Sequence, residues 1–324
     1  MPLRAGLTVS ADSPAAAAAG GTGKAKAYVD LARPFTLLPP ALGVLSGAAS
    51  AWGAGHSKPT VTLALLLPVL WGALMAAVLN ASNNAINQIY DLDIDRVNKP
   101  RRPLPAGTLG MGEAWTFTLT TAGLAWVLAF FASPDDRREC FWIVVFTTFL
   151  CWVYSAPPLW TKRRGFLANI TIAVPRGLLL KVAGWSTVKT IVGLEPWFIG
   201  SIFGLFLLGA ASTKDFADIE GDRAGGCKTL PILYGVKSAA WIIAPFFVLP
   251  FFLIPLGVWK GVLTGNPLLL MILGPTLILY GIYTVYLLVR RPEELARTEN
   301  HPSWTHMYRM MMVAQIGFAL AYIF

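Results

Sequence analysis

The sequence predicts an all-α, polytopic membrane protein of about nine transmembrane helices. Three observations carry that expectation. Of the 324 residues, 55% are hydrophobic and only 13% are charged, against about a quarter charged in a soluble domain. Seven charge-free runs of at least 18 residues occur, at 34–57, 59–90, 114–134, 140–161, 196–213, 238–259 and 261–289, and roughly 20 apolar residues cross a bilayer core as a helix. The runs are continuous rather than alternating, which excludes a membrane barrel of strands.

Taken in order, the elements read as follows. Residues 1–27 are rich in Ala, Gly and Ser and lack the apolar core of a signal peptide. They are expected to be a disordered tail, with 28–324 forming one transmembrane domain. The first helix starts near Phe35, after "DLARP", and Pro39 and Pro40 kink its beginning. The second runs from about Val61 into the stretch "NQIYDLDID" (Asn87–Asp95), and the proline-rich basic loop "NKPRRPLPAG" follows. The third and fourth runs are joined by "SPDDRRE". After "SAPPLWTKRRG" (Ser155–Gly165), a fifth segment at 166–187 is interrupted only by Arg176 and Lys181. The sixth ends at "STKDFADIEGDRAGGCKTLP" (Ser212–Pro231). The seventh and eighth are the last two charge-free runs, and a ninth apolar segment follows Arg309.

Lys and Arg sort by side. With nine helices, the face carrying the N-terminus and the even-numbered loops holds 18 of the 26 basic residues. The positive-inside rule makes that face cytoplasmic and leaves the C-terminus outside. The net charge of +9 is thereby explained by topology and lipid headgroups rather than by nucleic acid. Cys140, Cys151 and Cys227 have no paired spacing, and the three histidines form no cluster, so neither a disulfide framework nor a zinc site is expected.

Two acidic clusters stand at helix ends on the cytoplasmic face. Asn87, Asp91 and Asp95 recur at i, i+4 and i+8, and Asp215, Asp218 and Asp222 at i, i+3 and i+7. Each set shares one helical face. Asn80, Asn83 and Asn84 extend the first stripe inward, where an amide must face protein or water rather than lipid. Asp93 and Glu220 point elsewhere, to solvent. The recurrence of an acidic cluster with a basic tail four helices apart suggests two related four-helix halves.

Crowded carboxylates repel one another and favour protonation. A hard divalent cation resolves this, and Mg²⁺ takes one or two carboxylates plus substrate phosphates. Asp91 with Asp95, and Asp218 with Asp222, are candidate ligands for two Mg²⁺ ions bridged by a diphosphate. Lys99, Arg101, Arg102, Lys162, Lys214, Arg223 and Lys228 are the nearby cations suited to the same anion.

These residues resemble a known family. "NxxxDxxxD" at Asn87–Asp95, the following "RPLPAG", "YSAPPLWTKRRG" from Tyr154, and "KDxxDxxGD" at Lys214–Asp222 look like the UbiA-type intramembrane prenyltransferase superfamily. The resemblance runs from "ARPFT" to the last helix. It implies helices around a central cavity, with Mg²⁺ and an isoprenyl diphosphate at the cytoplasmic mouth of an inner or plasma membrane protein. It implies that Asp91, Asp95, Asp218 and Asp222 ligate metal. Asn87, Arg102, Lys162, Lys214 and Arg223 would bind diphosphate, and Tyr154 and Asp215 would serve catalysis. Tyr154, Trp152 and Trp160 are candidates for stabilising an allylic cation through a ring face, and Asp215 or another spare carboxylate for accepting the acceptor's proton.

The implied reaction moves a polyprenyl group, such as geranylgeranyl, from its diphosphate to a lipophilic or amphipathic acceptor in a membrane of lipids. The short spacing between Asp95 and "RPLP" resembles enzymes acting on chlorophyllide and on prenylated glycerol phosphate, with homogentisate-type quinone precursors close behind. Two other readings stay open: a cation or metabolite transporter, and a terpene cyclase that ionises the diphosphate without a second substrate. Arg176 and Lys181, five residues apart, do not share a face, so at most one is expected to point into the cavity.

Overall fold

The computed structural model describes residues 21–55, 58–134, 136–298 and 301–324. Among these, every regular element is helical and there is no strand. The first is α1 (Gly21–Ala32), so residues 21–27 of the expected tail are helical, while residues 1–20 lie outside the described residues. Ala27 and Leu31 are the reason: both are buried against Ala85, Ile89 and Leu104, which ties the helix down. After Arg33, whose φ of 56° is left-handed, and a 3₁₀ turn at Pro34–Thr36, the chain bends by 46° and enters α2 (Leu38–Gly53). Pro39 and Pro40 lie in the first turn of α2, where a missing N–H costs nothing. The bend therefore falls before them rather than at them.

Next come α3 (Leu63–Tyr90), the short α4 (Leu92–Asn98), α5 (Met111–Phe131) and α6 (Glu139–Ser155). They are followed by α7 (Phe166–Ser186), α8 (Leu194–Thr213), the short α9 (Ile219–Ala224), α10 (Val236–Trp259), α11 (Pro267–Val289) and α12 (Pro302–Ile323). Six of these, α3, α5, α7, α8, α10 and α11, are long and apolar enough to cross a membrane, and a seventh span results if α1 and α2 count as one bent segment. The helix α6 has 17 residues; α12 has 22 but is interrupted by polar groups.

Two prolines, Pro245 and Pro250, tighten the middle of α10 into 3₁₀ turns, because neither can donate to the α-helical ladder. In α7 a π-helical stretch at Val174–Leu179 surrounds Pro175. Such bulges recur at functional sites.

The most deeply embedded span is α7, with 56% of its apolar window buried inside the protein. Small residues make this possible. A Cβ on Gly47 of α2 would sit 2.5 Å from the Lys181 carbonyl oxygen, and one on Gly184 of α7 would sit 2.3 Å from the Val44 carbonyl oxygen. Only backbone fits there, as is usual where helices meet without a hydrophobic drive between them. Buried side chains form two main clusters, one centred on α3, α5, α6 and α7 and one on α8, α10, α11 and α12. Large apolar side chains such as Leu63, Leu70, Leu119, Phe131, Phe149, Leu268 and Leu279 face outward, which suits hydrocarbon rather than water.

The contact between α2 and α7 sets the width of the bundle on one side. Gly47→Val is expected to lower stability by about 1–3 kcal/mol through overpacking, read as an earlier midpoint in a detergent-solubilised denaturation series.

Candidate active site

Between the two apolar clusters lies a cavity of about 340 Å³. Its walls come from the start of α2, the C-terminal half of α3, α4, α6, α7, the end of α8 and the N-terminal half of α12, while α5, α10 and α11 contribute no described residue. At one end it is lined by Asn87, Asp91, Asp95, Lys99, Arg102, Tyr154, Lys162, Lys214, Asp215, Asp218 and Asp222. The opposite end is apolar, with Met75, Ala76, Leu79, Ile143 and Leu179. All ten of the expected site residues other than Arg223 plus Lys99 thus share one mouth. Arg223 is exposed and lies outside the cavity lining, as do Arg101 and Lys228. Asp93 is exposed and pairs with Arg96 at 2.8 Å, and Glu220 is exposed, as expected.

The two acidic stretches have the same local form. Each first aspartate sits at a break between helices, Asp91 at φ −98° and ψ 11° and Asp218 at φ −105° and ψ 9°. Each is followed by a short helix that carries the second aspartate. Asn98, at the end of α4, joins them. Its Nδ2 donates to the Asp218 carbonyl at 3.1 Å, and its Oδ1 accepts from the Gly221 amide at 3.0 Å. Nothing in the spacing singled out Asn98, because both its partners are backbone atoms 120 or more residues away.

Cations meet the carboxylates one by one. Lys162 pairs with Asp91, with both residues buried. Arg102 donates to both oxygens of Asp95, at 2.7 and 2.6 Å. Lys99 reaches across to Asp218 at 2.8 Å. Lys162 is aimed inward by the preceding turn, in which Trp160 holds a left-handed φ of 42°. That conformation is rare and strained for a bulky residue. Arg33, which also lines the cavity, carries the other strained backbone of this end.

Burial, reinforced by neighbouring carboxylates, pushes Asp215 up to about 8 and Asp222 up to about 7. Burial raises Asp95 as well, against the opposing pull of Arg102, and lowers Lys162 to about 8. Among the described residues no three acidic, His or Cys side chains converge as a preformed metal cage. The donor set is nevertheless all oxygen, and neighbouring carboxylates contribute to the raised pKa of Asp95, Asp215 and Asp222. That is the charge pattern a hard divalent cation relieves.

The amide stripe of α3 has a structural job. Asn80 and Asn84 donate to Thr36 Oγ1, at 3.1 and 2.8 Å, and also to the carbonyls of Thr36 and Ala32; Gln88 donates to the Leu31 carbonyl at 3.0 Å. They anchor the bend between α1 and α2. Asn80, Asn83, Asn84 and Asn87 all line the cavity, where Asn87 Oδ1 accepts from Ser155 at 3.4 Å. Of the three aromatic candidates only Tyr154 faces the cavity. Trp152 packs on Tyr90 and Trp115, and Trp160 on Tyr90 and under Arg163. Arg176 lines the cavity and donates to Asn80 Oδ1 at 3.2 Å, whereas Lys181 is buried over the Phe203 ring at 4.1 Å.

Residues 37–298 match the UbiA prenyltransferase family model. The chain is 27% identical to the digeranylgeranylglyceryl phosphate synthase of Methanosphaera stadtmanae, over 90% of this chain and 98% of that one. It is 30% identical to the chloroplastic chlorophyll synthase of rice (Oryza sativa subsp. japonica) over 67% of this chain, and spans 57% of that protein's length. Its fold superposes on a UbiA homologue from Archaeoglobus fulgidus bound to GPP and Mg²⁺ with a TM-score of 0.70 and 22% identity, covering 92% of this chain and 99% of that one.

Raised carboxyl pKa values have a sign that can be checked. Between the unfolded value near 4 and the folded values of about 7 and 8, the folded chain binds more protons than the unfolded one. Stability therefore falls as pH rises through that window, by about 1.4 kcal/mol per pH unit for each proton retained. Above pH 8 the lowered Lys162 contributes in the opposite sense. The melting temperature of metal-free protein is expected to drop from pH 6 to pH 8, and millimolar Mg²⁺ to flatten the slope. A slope unchanged by Mg²⁺ would separate these carboxylates from metal binding.

Proposed function

The chain belongs to the UbiA prenyltransferase family and so is an enzyme that transfers prenyl groups; from that premise we propose a Mg²⁺-dependent transfer of a polyprenyl group from its diphosphate to a lipid-pathway acceptor at the cytoplasmic mouth of this cavity. One observation carries the proposal. Two carboxylate-bearing turns, more than 100 residues apart in the chain, are pinned together by Asn98 over a single cavity that is ionic at one end and apolar at the other. A prenyl diphosphate has the same polarity.

In this reading nine segments cross the membrane: α2, α3, α5, α6, α7, α8, α10, α11 and α12. The N-terminus is cytoplasmic, and the two acidic turns close two related halves. Asp91 and Asp95 hold one Mg²⁺, and Asp218 and Asp222 a second. The bound metal supplies neutralisation of the charge that develops on the departing diphosphate. Lys162, Arg102 and Lys99 exchange their carboxylate partners for diphosphate oxygens, with Asn87 and Lys214 beside them, and act as preorganised electrostatic stabilisers. Arg223 is left out, since its side chain is exposed away from the cavity.

As the C1–O bond breaks, its electron pair leaves with the diphosphate. Tyr154 presents an aromatic ring to the developing allylic cation. The acceptor's nucleophilic atom attacks C1, and its proton passes to Asp215. Asp215 must be ionised to take it; its carboxyl is pushed up to about 8 in the absence of metal, and cations neutralising the mouth would favour the ionised form. Crowding of the ionisable groups at one mouth favours this over a transporter, which needs them along a path to both faces.

The test is incubation of purified protein with labelled geranylgeranyl diphosphate, Mg²⁺ and a panel of three acceptors: chlorophyllide, geranylgeranylglyceryl phosphate and homogentisate. A prenylated product from one of them is expected. Cyclised or hydrolysed donor alone, or ion flux without turnover, would replace the proposal. Asp91→Asn and Asp218→Asn are each expected to cut turnover by at least about 10²–10³-fold while the circular dichroism spectrum and monodispersity stay those of the wild type.

A further inference from the structure

The apolar end of the cavity has a thin wall. Ile143 of α6 and Leu179 of α7 line the cavity, and both also line a separate groove of about 490 Å³ on the outer side of the same two helices. Each is nearly buried, at 8% and 6% exposure, so each side chain has cavity on one flank and groove on the other. The remaining groove walls include Val174, Phe146 and Trp197, and Phe146 and Trp142 are exposed toward the lipid side. The partition is one side chain thick because Leu179 closes the π-helical stretch Val174–Leu179. There the widened turn sends Pro175 and Arg176 to the cavity and Val174 and Leu178 to the groove.

The position of this wall matters. On α6, Ile143 lies roughly three turns, about 16 Å, beyond Tyr154 along the helix axis. The wall therefore stands at the far end of the path that an apolar chain would follow inward from a head group held at the carboxylates. Resting on the prenyl-transfer reading above, we propose that Ile143 and Leu179 are specificity-determining residues. They stop the end of the donor's hydrocarbon chain and so set the longest prenyl diphosphate the site accepts. The outer groove is where a longer chain would run if they were smaller.

Direct binding of an all-trans prenyl diphosphate series of increasing length, with Mg²⁺ and no acceptor, tests this by calorimetry on detergent-solubilised protein. The wild type is expected to bind the series up to a limiting length and to lose affinity beyond it. Ile143→Ala and Leu179→Ala are expected to raise the affinity for the first donor past that limit by at least about tenfold, the scale on which an apolar pocket discriminates chain length. Affinity for shorter donors should change little. Adding Val174→Trp, which fills the groove from outside the cavity, should cancel the gain. The milder Ile143→Val, expected to shift the limit in the same direction by less, serves if an alanine variant fails to fold. A wild-type profile with no length limit, or folded variants with the wild-type profile, overturns the inference. Wild-type protein that binds no member of the series overturns the prenyl-transfer reading itself.

Discussion

The structure is organised around one electrostatic problem, the gathering of Asp91, Asp95, Asp215, Asp218 and Asp222 at a single partly buried mouth. Carboxylates removed from water must be paired, protonated or bound to metal. The first two solutions are visible. Lys162, Arg102 and Lys99 pair with three of them, and burial with mutual repulsion holds the remaining two toward their protonated forms. The backbone has been bent to serve this. The left-handed residues Arg33 and Trp160 persist because the turns they create deliver Arg33 and Lys162 to the cavity, the kind of local strain that folded surroundings sustain at working sites.

How much of this was legible depends on whether the signal was periodic. Helical spacing grouped Asn87 with Asp91 and Asp95, and Asp215 with Asp218 and Asp222. All six line one cavity, although the helices break at Asp91 and Asp218 and residues 214–218 form turns rather than one helical face. Charge without period served less well. Arg223 and Lys228 sit beside the second acidic cluster in sequence yet point to solvent, whereas Arg33, far from either cluster, lines the cavity. Asn98 was invisible because what it recognises is backbone, which every residue has. The helix at Gly21–Ala32 was hidden by its composition. Its alanines and glycines read as a tail, and only the burial of Ala27 and Leu31 against α3 and the following loop makes it a helix.

Arg176 and Lys181 show how one helix can settle two intramembrane cations differently. Composition flags them equally. In the structure Arg176 belongs to the π-helical stretch and turns into the cavity, where Asn80 offers its amide oxygen. That same Asn80 anchors the bend after α1 through its amide nitrogen, so one side chain couples the position of Arg33's turn to that of Arg176. Lys181, past the bulge, is directed away onto Phe203 of α8, while its backbone carbonyl lies in the tight contact between α2 and α7, whose glycines leave no room for a larger neighbour.

The polar and apolar halves of the cavity are therefore not independent features. The amide nitrogens of α3 that face α1 and α2 are satisfied by backbone carbonyls, and beyond Asn80 the α3 contribution to the lining is the apolar set Met75, Ala76 and Leu79. The same π-bulge that turns Arg176 inward also thins the wall at Leu179. A site that must hold a multiply charged head and a hydrocarbon tail in one molecule needs both properties within a few helical turns. Here they are produced by the same two helices, α3 supplying the ionic mouth from its C-terminal end and α7 dividing the apolar depth.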